Sequence, residues 1–193
     1  MNRTRGVLAK PVTYLAALAL CTACFGTLAV SSASAQDAPV ANPVSTVVKT
    51  QLARFQKNMV GAAEAMPAEK YSFKPTPEMN TFAHLVMHIT QSNNNLCAKV
   101  SGTPAPDVKI ADTDPKDKLV AALKGSFDFC STALANADDS KLGTQVQLFG
   151  PKPLPMAAAW FALYGGWNDH YSEQAVYLRL NGILPPSAQP PKQ

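Results

Sequence analysis

The sequence of 193 residues has few histidines, few cysteines and little net charge outside its first segment. Its net charge is +4, and three of the basic residues (Arg3, Arg5 and Lys10) lie within the first 35 residues, where no acidic residue occurs. The rest of the chain therefore has a net charge of +1. This near-neutrality excludes the broad basic surface with which proteins bind the phosphates of nucleic acid.

Motifs of common enzyme and membrane classes are also missing. Beyond residue 35 no two cysteines have the spacing of paired metal ligands, and no Ser-His-Asp or Cys-His arrangement is recognisable. No second apolar run approaches the roughly 20 residues that span a membrane, so no membrane association is expected once the first segment is removed. The hydrophobic fraction of 47% excludes a disordered chain.

The first 35 residues have the order of a secretory signal peptide. A basic segment, residues 1–10, precedes an uncharged apolar run at residues 12–30, and small residues follow as far as Ala35. This order predicts cleavage after Ala35 and export to the periplasm or the cell exterior. The apolar run also leaves two alternatives open, an uncleaved membrane anchor and a lipoprotein attached through a cysteine of the run.

Four stretches between the prolines have apolar residues at the three- and four-residue spacing of amphipathic helices. Gly102 and Gly182 are expected to end the second and fourth helices, since glycine readily adopts the left-handed conformation found there. The helices are expected at residues 44–65, from 80 or 81 to 100, from the N-cap Asp114 and the first-turn Pro115 onwards, and at 155–181.

The predicted architecture is an all-α four-helix bundle. It covers residues 44–186 and lies between two segments expected to be flexible, 36–43 and 187–193. No strand pattern of comparable length competes with the helices, and residues 143–150 are expected to form an extended connection.

Two motifs give the sequence a family resemblance. The first is AMPAEKYSFKPTPEMNTFAHLVMHITQSN, which has a histidine seven residues into its helix, and the second is DHYSEQAVYLRLNGILPP at the end of the fourth helix. Together they resemble the DinB-like (DinB/YfiT) metalloenzyme superfamily over residues 44–186. The resemblance implies an up-down-down-up bundle with a long crossover between helices two and three, and a homodimer as in many members.

The resemblance also implies a metal site. Many members hold a divalent ion with one histidine on the second helix and two, spaced HxxxH, on the fourth. His88 matches the second-helix position, and His170 matches the second position of the fourth-helix pair. The first position of that pair is Gly166 here, which has no side chain. A site for Zn, Ni, Mn or Fe is therefore expected, with one family ligand lost at Gly166.

Two side chains are candidates for the missing ligand. His84 lies one helical turn before His88, and Glu173 lies about 60° around the fourth helix from His170. Two histidines and a carboxylate suit the same metals. On a helical wheel His88 borders the apolar face, and His84 points further towards solvent. The alternative is that His88 and His170 are hydrogen-bonded polar residues of the bundle interior.

Two cysteines, Cys97 and Cys130, remain after cleavage. In a simple antiparallel hairpin they would be about 16 Å apart, which is too far for a disulfide. In the parallel arrangement that the resemblance implies for helices two and three, they lie at the same level. A bridge between Cys97 and Cys130 is therefore predicted, which suits an oxidising compartment. The alternative is two buried free thiols.

These observations support two functions. The first is an exported DinB-like protein that acts as a divalent-metal-dependent hydrolase or transferase on a small molecule, with a degenerate histidine site. The second is a non-catalytic periplasmic binding or structural domain that kept the bundle and lost the metal site. The catalytic residues and the substrate are not identifiable from the sequence.

Overall fold

The computed structural model of the protein describes residues 39–190. The predicted signal peptide, residues 1–35, lies outside this part of the chain, as do residues 36–38 and 191–193. None of the described helices is long and apolar enough to cross a membrane.

The described chain is mainly helical, which confirms the predicted all-α bundle. A two-stranded antiparallel ribbon lies before the last helix. Its first strand, β1 (Gln145–Val146), is inside the stretch 143–150 that was expected to be extended, and its second, β2 (Leu154–Pro155), follows that stretch. Short 3-10 turns follow the first and third helices and the end of the bundle. The helices are α1 (Pro43–Ala65), α2 (Phe82–Ser101), α3 (Lys116–Leu134) and α4 (Met156–Leu180), and the 3-10 turns are Ala68–Lys70, Asp139–Lys141 and Pro186–Ala188.

Helices α2 and α3 run parallel. Asn93 hydrogen-bonds Ser126, and Cys97 is disulfide-bonded to Cys130, so both pairs join residues 33 positions apart. A constant separation of this kind occurs only when two helices run in the same direction. The chain returns along the bundle through a crossover, residues 102–115.

Two further pairs, α1 with α3 and α2 with α4, run in opposite directions. Between α1 and α3, Gln56 bonds Asp128, whereas the later residue Glu64 pairs with the earlier residue Lys124. Between α2 and α4, Trp167 bonds Asn93, whereas Tyr177 packs on Phe82. The order is therefore up-down-down-up, as the family resemblance implied.

The predicted helix ends are confirmed at Gly102 and Gly182, and the predicted start of α3 is wrong. Gly102 and Gly182 have the left-handed backbone, with φ of 76° and 72°, that was expected after α2 and α4. Asp114, however, does not cap α3, since Pro115 holds the N-cap position. The Asp114 carboxylate instead accepts a hydrogen bond from the Ala111 N–H at 2.8 Å and pairs with Lys118 at 2.9 Å. It therefore fixes the end of the crossover.

Aromatic side chains fill the centre of the bundle. Trp167 of α4 is 1% exposed and lies against Phe55 of α1, at 5.6 Å between ring centres, and Phe127 of α3, at 6.1 Å. Its indole N–H donates to the Asn93 side chain of α2 at 2.8 Å. One residue thus contacts the three other helices and orients the middle of α4.

The start of α1 is held by a residue far along the chain. The Asp139 carboxylate accepts hydrogen bonds from the N–H groups of Val44 at 2.9 Å and Ser45 at 2.8 Å. Burial alone would raise the pKa of Asp139, but these bonds and Lys49 outweigh it and hold the pKa below its ordinary value. Asp139 therefore acts as the N-terminal cap that no residue next to α1 supplies.

The disulfide between Cys97 and Cys130 joins Cα atoms 5.3 Å apart, as predicted. Replacing both residues with alanine is expected to lower the free energy of unfolding by about 3–4 kcal/mol, because the bond restricts the unfolded chain. Urea denaturation followed by circular dichroism measures this loss. Dithiothreitol should lower the midpoint of the wild type and leave that of the variant unchanged. Equal midpoints without reductant would contradict the prediction.

Asp139→Asn is expected to lower the denaturation midpoint at neutral pH, because it removes the charge that caps α1. The pKa of Asp139 is lower in the folded state, so its stabilising effect exists above the unfolded pKa of about 3.9 and disappears as the pH falls through the folded value. The difference between variant and wild type should therefore vanish in strong acid. Asp107→Asn, in the exposed crossover, is the control. A difference independent of pH would rule out the charge as the cause.

Candidate metal centre

Two of the predicted site residues meet between α2 and α4. His88 lies in the second turn of α2 and His170 near the middle of α4, and their rings are 4.9 Å apart, centre to centre, at 90°. Two imidazoles that bind one tetrahedral metal ion have centres about 5 Å apart. The spacing of His88 and His170 therefore fits a shared ion.

The two nitrogens of His170 have different surroundings. Nδ1 is buried, has no hydrogen-bond partner among the described residues, and lies 4.0 Å from carboxylate oxygens of both Asp169 and Glu173. Nε2 lies on the other edge of the ring, which faces Gly166. The carboxylates favour a proton on Nδ1, and this leaves the lone pair of Nε2 available as a ligand.

Burial sets the protonation of this region. It lowers the pKa of His170, and the neighbouring His88 lowers it further, so His170 is neutral at neutral pH. Neutral imidazole is the form that binds metal ions. Burial also raises the pKa of Glu173, and Asp169 adds to this effect.

Gly166 leaves an open space beside the pair. A Cβ atom built on Gly166 would meet only the His170 ring, with Cδ2 and Nε2 both at 3.9 Å, which is ordinary van der Waals contact. Gly166 is not among the glycines with positive φ, so its backbone is compatible with a side chain. The position that the family resemblance assigns to a third histidine thus has room for a Cβ atom.

His84 is less exposed than the helical wheel predicted. Its side chain is 35% exposed, and His88, which the wheel placed beside the apolar face, is instead exposed. The reason is the crossover, from which Asp112 reaches the Nδ1 atom of His84 at 3.2 Å. A wheel drawn for one helix does not include a loop that folds over it.

Neither candidate for the third ligand completes the site. Within residues 39–190 no group of three or more His, Cys, Asp or Glu side chains is arranged to hold a metal ion. His84 contacts Asp112, and its ring is 6.5 Å from that of His88. Glu173 lies on the Nδ1 side of His170, opposite the edge that faces Gly166. Of the predicted ligands, only the rings of His88 and His170 therefore contact each other.

A buried polar network lies behind the pair. Trp167 donates to Asn93, and Asn93 in turn donates to Ser126 at 3.0 Å. Asn93 is one and a half turns beyond His88 on α2, and Trp167 is three residues before His170 on α4. The network therefore fixes the two helices that carry the histidines relative to each other. Sequence reasoning missed both this network and Asp169, because neither has a motif of its own.

Comparison with known proteins identifies the family of the chain. The fold defines a DinB-like helical bundle, and the sequence profile of the DinB superfamily matches residues 51–171. The chain belongs to the DinB superfamily.

Solved structures show the same fold. A DinB-like protein of Bacillus subtilis superposes with a TM-score of 0.60 at 18% identity, over 74% of this chain and 98% of its own. A DinB-like protein of Bacillus cereus gives a TM-score of 0.58 at 17% identity, over 72% and 93%. No curated protein matches the chain in sequence.

Gly166→His is expected to raise the affinity for Zn²⁺ or Ni²⁺ by about tenfold or more, because it adds a third imidazole beside His170. Isothermal titration of both proteins measures the change. Gly165→His is the matched control, since it places the same side chain on the exposed face of the same helix, where nothing lies within 4 Å. Equal affinities of the two variants would contradict the assignment of position 166.

Proposed function

We propose that the protein is an exported DinB-like protein that binds one divalent transition-metal ion through His88 and His170. The observation that carries this proposal is the perpendicular contact of the two rings, 4.9 Å apart, between α2 and α4. Its activity is that of a metal-dependent hydrolase or transferase acting on a small molecule.

The residues in and around the histidine pair have different roles in this proposal. His88 and His170 supply the two nitrogen ligands, and Asp169 and Glu173 orient the His170 ring from its Nδ1 side. A bound divalent ion would polarise the substrate or activate water. The absence of a side chain at Gly166 would give a small molecule access to the open positions. Imidazole ligands favour Zn and Ni, and Mn or Fe become competitive where oxygen ligands complete the shell.

Two features support export. The basic, apolar and small-residue order of residues 1–35 is that of a signal peptide. The disulfide between Cys97 and Cys130 is typical of proteins that fold in an oxidising compartment, because the cytosol keeps thiols reduced.

A second function has its own support. Gly166 removes a family ligand, and residues 39–190 contain no group of three side chains that could hold a metal ion. These observations favour a non-catalytic periplasmic domain that kept the bundle and binds a small ligand, or serves a structural role, without a metal. Metal binding separates the two functions.

The test is titration of the mature protein, purified without a His tag or chelator, with Zn²⁺, Ni²⁺ and Mn²⁺. The expected result is one ion bound for each chain, with binding lost in a His88→Ala, His170→Ala double variant. Elemental analysis of protein purified from a periplasmic extract checks whether the ion is present natively.

His84→Ala is the matched control, because it removes a histidine one turn away that contacts Asp112. This variant should bind the ion like the wild type. A wild-type protein that binds none of the three ions would overturn the metal proposal and leave the non-catalytic function. Binding lost in His84→Ala alone would show that the ion lies elsewhere.

A further inference from the structure

Ser92 of α2 lies one helical turn after His88, on the same side of the helix. Its hydroxyl oxygen is 3.4 Å from Nε2 of His88. Ser92 is half-buried and His88 is exposed, so this contact lies at the surface of the bundle, where an ion from solvent can reach it.

The contact of Ser92 differs from those of other helical hydroxyl groups in this bundle. The hydroxyls of Thr90, Ser101 and Ser172 each donate to the main-chain carbonyl of the residue four positions earlier, as is common in helices. The hydroxyl of Ser92 contacts the ring of His88 instead. It is therefore directed towards the histidine pair and not towards the main chain of its own helix.

The distance between Ser92 and His88 fits two ligands of one ion. A hydrogen bond between a hydroxyl group and a ring nitrogen is usually no longer than about 3.2 Å. Two ligand atoms that each lie about 2.1 Å from a tetrahedral ion are about 3.4 Å apart. The separation of Ser92 Oγ from His88 Nε2 matches the second value.

The register of α2 and α4 places Ser92 at the level of the lost family ligand. Three contacts fix this register: Phe82 with Tyr177, His88 with His170, and Asn93 with Trp167. Because the two helices are antiparallel, Ser92 lies opposite residues 166–168. Gly166 faces the Nε2 edge of His170, so Ser92 and this edge lie at the same level of the bundle.

We propose that the hydroxyl oxygen of Ser92 is the third protein ligand of the metal ion, in place of the histidine that is lost at Gly166. This inference rests on the proposed function and adds the residue that completes its ligand set. Nε2 of His88 and Nε2 of His170 are the other two ligands, and one position of a tetrahedral ion then remains for a small molecule.

The two candidates expected from the sequence fit this position less well. Glu173 lies on the Nδ1 side of His170, and His84 contacts Asp112, with its ring 6.5 Å from that of His88. A single serine within a helix belongs to no metal-binding motif, so its role depends on the packing of α2 against α4.

Ser92→Ala is expected to weaken Zn²⁺ binding by about tenfold or more, because it removes one of three protein ligands. Isothermal titration of the mature protein measures the change. Ser172→Ala is the matched control, since it makes the same change on the exposed face of α4, where the hydroxyl bonds its own helix. It should bind Zn²⁺ like the wild type.

A second variant separates a ligand from a residue that only holds His88 in place. Ser92→Cys puts a thiolate at the ligand position, so its Co²⁺ complex should show a sulfur-to-cobalt charge-transfer band in the near ultraviolet. Asn95→Cys is the control, because it puts the same thiol at an exposed position about 10 Å along α2 from His88. Its Co²⁺ complex should lack the band.

The outcomes distinguish the role of Ser92 from the proposed function. A wild-type protein that binds no Zn²⁺ would overturn both. If Zn²⁺ binding is lost in the His88→Ala, His170→Ala double variant but is equally strong in Ser92→Ala and Ser172→Ala, only the role of Ser92 is overturned. A Co²⁺ complex of Ser92→Cys without the charge-transfer band would also overturn that role.

Discussion

The parallel packing of α2 and α3 is the constraint on which the rest of the structure depends. The bond between Cys97 and Cys130 holds the two helices side by side at one level, and Asn93 repeats the same register one turn away. Two consecutive helices can run parallel only if the chain returns along the bundle, so this packing requires the long crossover. The crossover in turn covers one side of α2, where Asp112 contacts His84 and a pocket lies beside Asn94.

The same register sets up the histidine pair. Because α4 packs antiparallel to α2, with Trp167 bound to Asn93, His170 comes to lie against His88. Burial by the surrounding helices keeps His170 neutral, and the carboxylates beside its Nδ1 atom direct Nε2 towards the gap at Gly166. The bundle therefore has histidines in contact at two of the three positions that the family resemblance assigns to a metal site, and glycine at the third.

The sequence was sufficient for features that depend on local pattern. Helical periodicity located the four helices, and two motifs indicated the family, from which the topology and the bridge between Cys97 and Cys130 followed. Contacts between distant segments could not be predicted. Asp139 caps α1 through the N–H of Val44, 95 residues earlier in the chain, and Asp112, in a loop 28 residues after His84, contacts that histidine. Neither contact leaves a periodic signal. Glu173 and His84 were expected as the third metal ligand from the geometry of single helices, which contains neither the crossover nor the direction of a side chain.

The most direct test of this account is anomalous diffraction from a crystal of the mature protein soaked in zinc chloride. We expect one zinc peak between α2 and α4, bonded to one nitrogen of His88 and to Nε2 of His170. A peak at another position, or no peak between the two rings, would contradict the claim that these histidines form a metal site.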